Sequence, residues 1–505
     1  MKQFSDNKQT FYIYYGTTNC TRQIAFARDR VVDTSSLCNV LALDVGSGIV
    51  TVEPNVSIEI LVRETLASGM LPKVVMEFPN ITVGGGFSGT SGESISFRHG
   101  PFEQTVDSIE MILADGTLLT ASPTENADLF YGAASIFGSL GVVTLLRIQL
   151  VPPQPFVELI YWPVRGRAET LLKIKEETDR LENDFVDAIL FGRNHGVVMS
   201  GRLVSKVSQG YKPHLFRHAK DPWFYMEARQ KARSSVAETV FIPVVDYLFR
   251  YDRGAFWGGH YALKYFMTTN SGITRWALDY FLGAKTLYHV VHAGKIAEHF
   301  FIQDLMLPWG KVEAFLDYVD QDFGLYPLWL CPFRDRHTKQ ATLFSKVFSK
   351  SGAEPGMGLN VGVWGPSSTD EQRFREVNRQ LESRLSDMGG QKALYARAYY
   401  TKEEFWHIYD LEWYQTLRLK YKAAFITKSL EVTAALKTEP INFLIRCRHG
   451  LSLVREKLDL CLVSMGFGRQ REVVNICWDI PGLAGRSKQR ILVDTTVHLL
   501  NLTSR

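Results

Sequence analysis

Residues 77–94 read EFPNITVGGGFSGTSGES, and this stretch decides the fold. It holds five glycines within residues 84–92, interleaved with serine and threonine. Because glycine has no Cβ atom, its backbone N–H groups can approach an anion or a planar ring closely. Successive N–H groups in such turns form an anion-binding concavity, to which hydroxyl groups add donors. The stretch therefore indicates a site for a phosphate-bearing ligand, although a plain glycine-rich connection would have the same composition.

Gly84, Gly86 and Gly89 also match G-x-G-x-x-G, the pattern of a Rossmann dinucleotide site. Such a site requires a buried strand before the loop and a helix that opens within it. Here Pro79 and Asn80 precede the glycines, and residues 90–94 have poor helix propensity. We therefore expect a loop of a different kind, with no helix opening in it.

An earlier stretch, residues 14–22 (YYGTTNCTR), is a second candidate pyrophosphate turn. It follows an apolar run and offers a glycine with small hydroxyl and amide side chains. Arg22 could add bidentate phosphate contacts. A capped turn that leads into a surface segment would explain the same residues.

The order of local patterns predicts an α+β fold. Residues 57–68 have helical spacing, and Asp115-Gly116 between two apolar runs is typical of a tight hairpin turn. The predicted strands are Thr10–Tyr15, Val40–Leu43, Ile49–Pro54, Ser108–Leu113 and Gly141–Val151.

Three segments of different character follow one another along the chain. Residues 1–152 form the strand-rich first domain, which ends at a proline-rich break. Residues 153–437 form a mixed domain with predicted helices at 168–182 and 367–388, and its aromatic clusters suit either a core or a pocket for a large apolar ligand. Residues 438–505 are an atypical extension with short, weak patterns.

Composition excludes several classes of protein. A net charge of +4 with scattered basic residues gives no reason to expect a nucleic-acid partner. The six cysteines lack metal-ligand spacing, which favours reduced thiols in a cytosol-facing protein and no bound metal. The sequence has neither a secretory signal nor an apolar run long enough to span a membrane. We expect a cytoplasmic protein or one peripherally associated with the endoplasmic reticulum membrane, while its oligomeric state stays open.

Together with residues 110–116, 122–131 and 138–143, the two loops resemble the PCMH-type FAD domain of the vanillyl-alcohol-oxidase superfamily. The resemblance implies that residues 82–94 wrap the flavin, that 138–143 lie near the adenine end and that 128–131 belong to a helix closing the site. The loop has no histidine of the kind that attaches FAD covalently in some relatives, so we expect noncovalent FAD. The residues expected to bind it are Gly16, Thr17, Thr18, Asn19, Thr82, Val83, Gly84, Gly85, Gly86, Phe87, Ser88, Gly89, Thr90, Ser91, Gly92, Glu93, Ser94, Gly141 and Val142.

A narrower resemblance comes from the segments YDRGAFW (251–257), IQDLMLP (302–308), YPLWLCP (326–332) and LYARAYYTKEEFW (394–406). In order and spacing they resemble the Delta(24)-sterol reductase family. That resemblance implies a substrate (cap) domain beside the FAD domain and reduction of a sterol or isoprenoid carbon–carbon double bond with NADPH. Compared with that family, we expect the membrane anchor and the first FAD lobe to be missing. The strand at residues 12–15 would then lack neighbours on one side.

Reduction of an isolated alkene needs a proton source on one face, flavin on the other and apolar walls that exclude water. Asp304 is an acid flanked by apolar residues, and burial would raise its pKa. A helix cap or a salt bridge would also explain each candidate, and a structural ion pair would explain Arg253. The candidate catalytic residues are Asp304, Tyr326, Glu404 and Arg253, with Tyr399 and Tyr400 as alternatives. A flavin oxidase that passes electrons to oxygen and a truncated, noncatalytic relative are the alternative functions.

Overall fold

The computed structural model describes residues 1–16, 20–21, 28–265, 270–293, 299–336, 342–343, 356–368 and 370–427. Internal contacts divide the chain into two compact units, residues 1–436 and 437–505, and every described residue lies in the first. The predictions for Thr17, Thr18, Asn19, Arg22 and the extension at 438–505 lie outside the described residues.

The first large sheet carries most of the strands predicted before residue 152. It is antiparallel and has the order β3-β4-β8-β6-β7, with β5 paired to β8. The predicted hairpin joins β6 to β7, where Gly116 has φ +88° and the Leu113 N–H donates to the Thr117 carbonyl at 2.8 Å. The strands are β3 (Val40–Asp44), β4 (Ile49–Val52), β5 (Leu71–Pro72), β6 (Val106–Ile112), β7 (Leu118–Ala121) and β8 (Val142–Val151).

The second sheet is formed by the strands after residue 155 and is antiparallel throughout. Its order is β12-β9-β11-β10-β14-β15-β13-β16. The change of sheet falls on the proline-rich segment at 152–155, and the division into domains at residue 152 stays a prediction. The strands are β9 (Phe156–Val164), β10 (Phe185–Gly192), β11 (His195–Val204), β12 (Glu238–Pro243), β13 (Phe300–Pro308), β14 (Leu328–Arg334), β15 (Met357–Pro366) and β16 (Gln391–Lys392).

The helices confirm the α+β prediction. The predicted helices at 57–68, 168–182 and 367–388 are present within a few residues. The described helices are α1 (Lys2–Asp6), α2 (Ile58–Ala67), α3 (Val83–Gly89), α4 (Ser96–His99), α5 (Ala127–Ala133), α6 (Arg167–Asp179), α7 (Phe224–Lys231), α8 (Val244–Leu248), α9 (Gly258–Tyr265), α10 (Gly272–Ala277), α11 (Ala284–Ala293), α12 (Val312–Tyr318), α13 (Glu371–Asp387), α14 (Lys402–Ile408) and α15 (Leu411–Lys420).

Helix α2 forms where the sequence predicts it because two local features, a cap and an apolar stripe, agree. The Ser57 hydroxyl accepts a hydrogen bond from the Ile60 N–H at 3.3 Å, which satisfies one of the free donors of the first turn. Ile58, Leu61 and Val62 follow at helical spacing, so they share one face, and that face is buried. The cap at Ser57 and the apolar stripe therefore mark the same start for the helix.

We call residues 82–94 the glycine-rich segment. It corrects one expectation, because residues 83–89 within it form a helix. Helix α3 begins after Thr82, whose hydroxyl accepts from the Gly85 N–H at 3.1 Å. The N–H groups of Val83 and Gly84 donate to the carbonyls of Val56 and Pro54. These two hydrogen bonds and the Thr82 cap stabilise the first turn of α3, although glycine has a poor helix propensity. The rejection of a Rossmann site still holds, because both large sheets are antiparallel.

Strand β1 (Tyr12–Tyr14) was expected to lack neighbours on one side, and among the described residues it has one strand partner. It pairs in parallel with β2 (Val31–Asp33). Just before β1, the Phe11 N–H donates to the Phe425 carbonyl at 3.0 Å, and the Thr427 N–H donates to the Phe11 carbonyl at 3.0 Å. The start of the chain is therefore held by the end of the described part.

Candidate active site

A cavity of about 270 Å³ lies where the glycine-rich segment meets the second sheet. Most residues of the segments 82–92 and 138–143 line one part of it. Strands β13, β14 and β15 and the segment 393–395 line another part. The cavity thus joins the segment expected to hold a cofactor with the region expected to hold a substrate.

The glycine-rich part of the wall suits a phosphate-bearing cofactor. A Cβ on Gly84 would lie 2.7 Å from the Pro54 side chain, so only glycine lets α3 lie this close to residue 54. A Cβ on Gly85 would meet only the Thr82 hydroxyl, at 2.9 Å, and the rest of its surroundings is open. The hydroxyl residues Thr82, Ser88, Thr90 and Ser91 line the same part. The hydroxyls of Thr82, Ser88 and Ser91 can donate to phosphate oxygens, whereas that of Thr90 donates to Ser135. These residues fit the pyrophosphate of FAD.

The structure divides the residues predicted to bind FAD into three groups. The N–H groups of Val83, Gly84 and Gly85 are used within the protein, so the hydroxyls are the better donors to a ligand. The predicted residues that line the cavity are Thr82, Gly84, Gly85, Ser88, Gly89, Thr90, Ser91, Gly92, Gly141 and Val142. Others lie outside the lining, namely Gly16, Val83, Gly86, Phe87, Glu93 and Ser94. Residues 17–19 lie outside the described residues.

The roles of two neighbouring segments were predicted from the resemblance, and that 138–143 lie near the adenine end and that 128–131 close the site stay predictions. Residues 128–131 belong to α5 as predicted, and the Asp128 carboxylate accepts from the hydroxyl of Tyr421 at 2.7 Å and from Lys420 at 2.6 Å. Gly138 has φ +71° and lines the cavity, as does Val143.

Asp304 is the predicted catalytic residue that lines the cavity. It lies on β13, where its Oδ1 accepts from the Asn360 amide at 2.8 Å and its Oδ2 accepts from the Tyr395 hydroxyl. Burial raises the pKa of this carboxyl, as expected, and the two hydrogen bonds oppose that shift.

Glu77 is a second carboxyl in the same cavity that sequence reasoning missed. Its Oε2 is buried and has no hydrogen-bond partner among the described residues. Burial raises the pKa of Glu77 to about 8, and the charges of Glu93 and Asp304 add to the rise. The signal in the sequence was an acid between Met76 and Phe78, directly before the glycine-rich segment.

Tyr326 and Glu404 do not line the cavity and contact other side chains instead. The Tyr326 hydroxyl donates to Asp320 Oδ1 at 2.8 Å. Glu404 completes a capping box with Thr401 at the start of α14 and pairs with Arg379 at 2.8 Å. Glu404 therefore has the structural role that was the alternative to catalysis, that of a helix-capping residue.

Arg253 and the two alternative tyrosines are also held by the fold. Arg253 donates to Asp279 Oδ1 at 2.8 Å and to the carbonyls of Ala219 and Asp221, both at 2.9 Å. This is the structural ion pair that was the alternative for Arg253. Tyr399 and Tyr400 are buried and do not line the cavity.

A buried ion cluster behind the cavity was not predicted. Arg250 pairs with Glu93 and with Asp187, each at 3.1 Å. Asp187 also accepts from the Trp329 indole N–H at 3.0 Å, and Trp329 lines the cavity. Burial raises the pKa of Glu93, whereas the charge of Arg250 opposes this. The cluster ties the end of the glycine-rich segment to the second sheet.

Aromatic side chains supply the apolar part of the wall. Trp329, Trp364 and Tyr288 line the cavity. Phe256 lies behind them, with its ring centroid 5.1 Å from that of Trp329 and 5.3 Å from that of Trp364. An aromatic wall of this kind suits a large apolar ligand.

Comparison with known proteins agrees with this geometry. The model of the family described as "FAD binding domain" matches residues 1–122. Delta(24)-sterol reductase of Rattus norvegicus is 29% identical over 390 residues, which are 76% of this chain and 73% of the rat protein. The Pisum sativum Delta(24)-sterol reductase is 27% identical over 430 residues, 79% of this chain and 75% of the pea protein. Cytokinin dehydrogenase 9 of Oryza sativa is 35% identical over 102 residues, 20% of this chain and 19% of that protein.

Fold, cavity and family match together define an FAD-dependent oxidoreductase. Within that class, the chain is similar over most of its length to the Delta(24)-sterol reductases.

Proposed function

We propose that this protein reduces an isolated carbon–carbon double bond of a sterol or related isoprenoid, with NADPH as the hydride source. The observation that carries the proposal is a single cavity with a glycine- and hydroxyl-lined part, an aromatic part and two carboxyls. The relatives named as Delta(24)-sterol reductases support the same substrate class.

Bound noncovalently, FAD would supply the hydride transfer that no side chain can perform. The residues proposed to hold it are the predicted ones that line the cavity, with Gly85 and the hydroxyls of Ser88 and Ser91 next to the phosphates. Trp329 and Trp364 would face the apolar substrate and exclude water. Asp304 and Glu77 are the carboxyls of the cavity wall that could hold a proton.

A visible absorption spectrum of the purified protein tests this function. We expect flavin bands that bleach when NADPH is added without oxygen, because the cofactor accepts hydride from NADPH. The bands should return when a sterol with an isolated side-chain double bond is added. Protein without flavin would indicate a noncatalytic relative, and release of hydrogen peroxide with an alcohol substrate would indicate an oxidase.

We also propose peripheral contact with the membrane that holds the sterol, such as that of the endoplasmic reticulum. In the described part of the chain, no helix combines the length and apolar character needed to cross a membrane. Ile273, Trp276 and Tyr280 lie at the spacing i, i+3, i+7 and are 80%, 51% and 60% exposed. Trp and Tyr are enriched at membrane–water interfaces. We call these three side chains the α10 patch.

A further inference from the structure

The two carboxyls of the cavity differ in their hydrogen bonding. Asp304 accepts hydrogen bonds from Asn360 and Tyr395, and both bonds favour its ionised form. Glu77 Oε2 is buried without a partner among the described residues. A neutral carboxyl tolerates such a position far better than a carboxylate does.

We propose that Glu77, rather than Asp304, is the catalytic acid that protonates the double bond. This inference rests on the proposed function and assigns one step of it. It follows from the position of Glu77 on the cavity wall, beside the segment proposed to hold FAD.

The charges around Glu77 favour its neutral form. Burial is the largest cause, and the negative charges of Glu93 and Asp304 act in the same direction, so the pKa of Glu77 reaches about 8. A hydrogen bond from the backbone of Glu77 itself and the positive charge of Arg250 oppose them, but Arg250 is paired with Glu93 and Asp187. The titratable and charged groups facing Glu77 are Glu93, Asp304, Arg250, Tyr288, Tyr395 and Cys331. Burial also raises the pKa of Asp304, but its hydrogen bonds from Asn360 and Tyr395 favour the ionised form, whereas Glu77 Oε2 accepts none, so Glu77 is better suited to hold the proton.

The proposed step adds a proton to one carbon of the double bond and a hydride to the other. The electron pair of the double bond takes the Glu77 proton and forms a C–H bond at the less substituted carbon. The neighbouring carbon gains positive character, which the faces of Trp329 and Trp364 can stabilise. It then receives the hydride that a reduced flavin donates, which forms the second C–H bond. Bound reduced FAD would supply that hydride, and with it the two electrons that reduce the alkene, and water returns a proton to the Glu77 carboxylate.

Protonation of Glu77 makes the rate of alkene reduction depend on pH. Glu77 must be protonated to act, and its protonated fraction falls as the pH rises through about 8. The rate of sterol-dependent flavin reoxidation should therefore decline above about pH 8 in the wild-type protein. In Glu77→Gln this limb should disappear, and the remaining rate should be lower by about 100-fold or more, as expected for loss of a general acid.

Glu103 provides a matched control. It is also a glutamate whose buried Oε2 lacks a partner among the described residues, and burial also raises its pKa to about 8. Unlike Glu77, it does not line the cavity. Glu103→Gln therefore makes the same chemical change outside the proposed site and should leave both half-reactions at wild-type rates.

The experiment measures three quantities in FAD-loaded wild type, Glu77→Gln, Glu77→Asp and Glu103→Gln. They are flavin content, flavin reduction by NADPH, and reoxidation by a sterol with an isolated side-chain double bond. We expect Glu77→Gln to bind FAD and to be reduced normally but to be reoxidised slowly. Glu77→Asp keeps an acid and should recover part of the reoxidation rate together with the decline at high pH. In infrared difference spectra at pH 7, the protonated-carboxyl band should lose intensity in Glu77→Gln.

Three results would overturn the assignment of Glu77. They are wild-type reoxidation in Glu77→Gln, equal losses in Glu77→Gln and Glu103→Gln, and an ionised Glu77 in the infrared spectra at pH 7. If NADPH cannot reduce the wild-type flavin, the proposed function fails instead. The infrared measurement then still decides whether Glu77 holds a proton.

Discussion

Gly85 is the residue at which cofactor binding can be tested most directly. It lies in the first turn of α3, it is exposed to the cavity, and little occupies the space where a side chain would begin. A substitution there changes the cavity more than it changes the core.

We expect Gly85→Asp to abolish flavin binding, because its carboxylate would lie beside the FAD pyrophosphate. Two like charges about 4 Å apart repel by roughly 4 kcal/mol at the effective dielectric of a protein surface, which corresponds to a loss of affinity of roughly 1,000-fold. A carboxylate in the first turn of a helix is otherwise favourable, so the fold should persist. The measurement is flavin absorbance per protein, with circular dichroism as the check on folding.

Gly85→Asn is the matched control for that prediction. It adds a side chain of nearly the same shape without the charge, so it should retain more flavin than Gly85→Asp. Full retention of the yellow flavin in Gly85→Asp would exclude the proposed cofactor position.

Among the elements, α10 and the turn after it carry apolar side chains that the core does not use. The next helix, α11, carries Tyr288 of the cavity wall. The α10 patch therefore lies close in sequence to the cavity in which an apolar substrate would have to arrive.

Replacing the α10 patch in Ile273→Ser/Trp276→Ser/Tyr280→Ser should weaken binding to lipid vesicles by at least about tenfold, because burial of apolar surface in the interface drives such binding. Flotation with vesicles measures this, and wild-type protein should leave natural membranes after a high-salt and carbonate wash. Leu172→Ser/Leu181→Ser removes exposed apolar side chains elsewhere and should change nothing. Wild-type protein that stays in the pellet after the wash would contradict peripheral attachment.

At the scale of the whole molecule, the hydrophobic cores of the described residues are formed by residues before 427. The two hydrophobic clusters of the described residues span Phe11 to Ile426 and include the strands of both large sheets. The segment at residues 425–427 also holds the start of the chain through Phe11.

From the weak patterns of residues 438–505, we expect that deleting them leaves thermal stability and flavin content unchanged. A melting curve and the flavin absorbance of the shortened protein measure both. A cooperative loss of stability and flavin would instead assign the extension a supporting role, for example through the apolar runs at 490–492 and 495–502.

The sequence by itself determined the features that depend on neighbouring residues. The cap at Ser57 with its apolar stripe defined α2, and Asp115-Gly116 defined the hairpin. Glycines and hydroxyls at 82–92 indicated the cofactor end of the cavity, because small size and donor groups are properties of the residues themselves.

Only the tertiary structure decided which distant residues meet. It made residues 83–89 helical by supplying the carbonyls of Pro54 and Val56 as partners. It placed Glu77 beside Asp304 in one cavity, and it held Tyr326, Glu404 and Arg253 in contacts elsewhere. The environment of a side chain, and hence the pKa of a carboxyl such as Glu77, comes from packing between elements far apart in the chain. No local pattern contains that information.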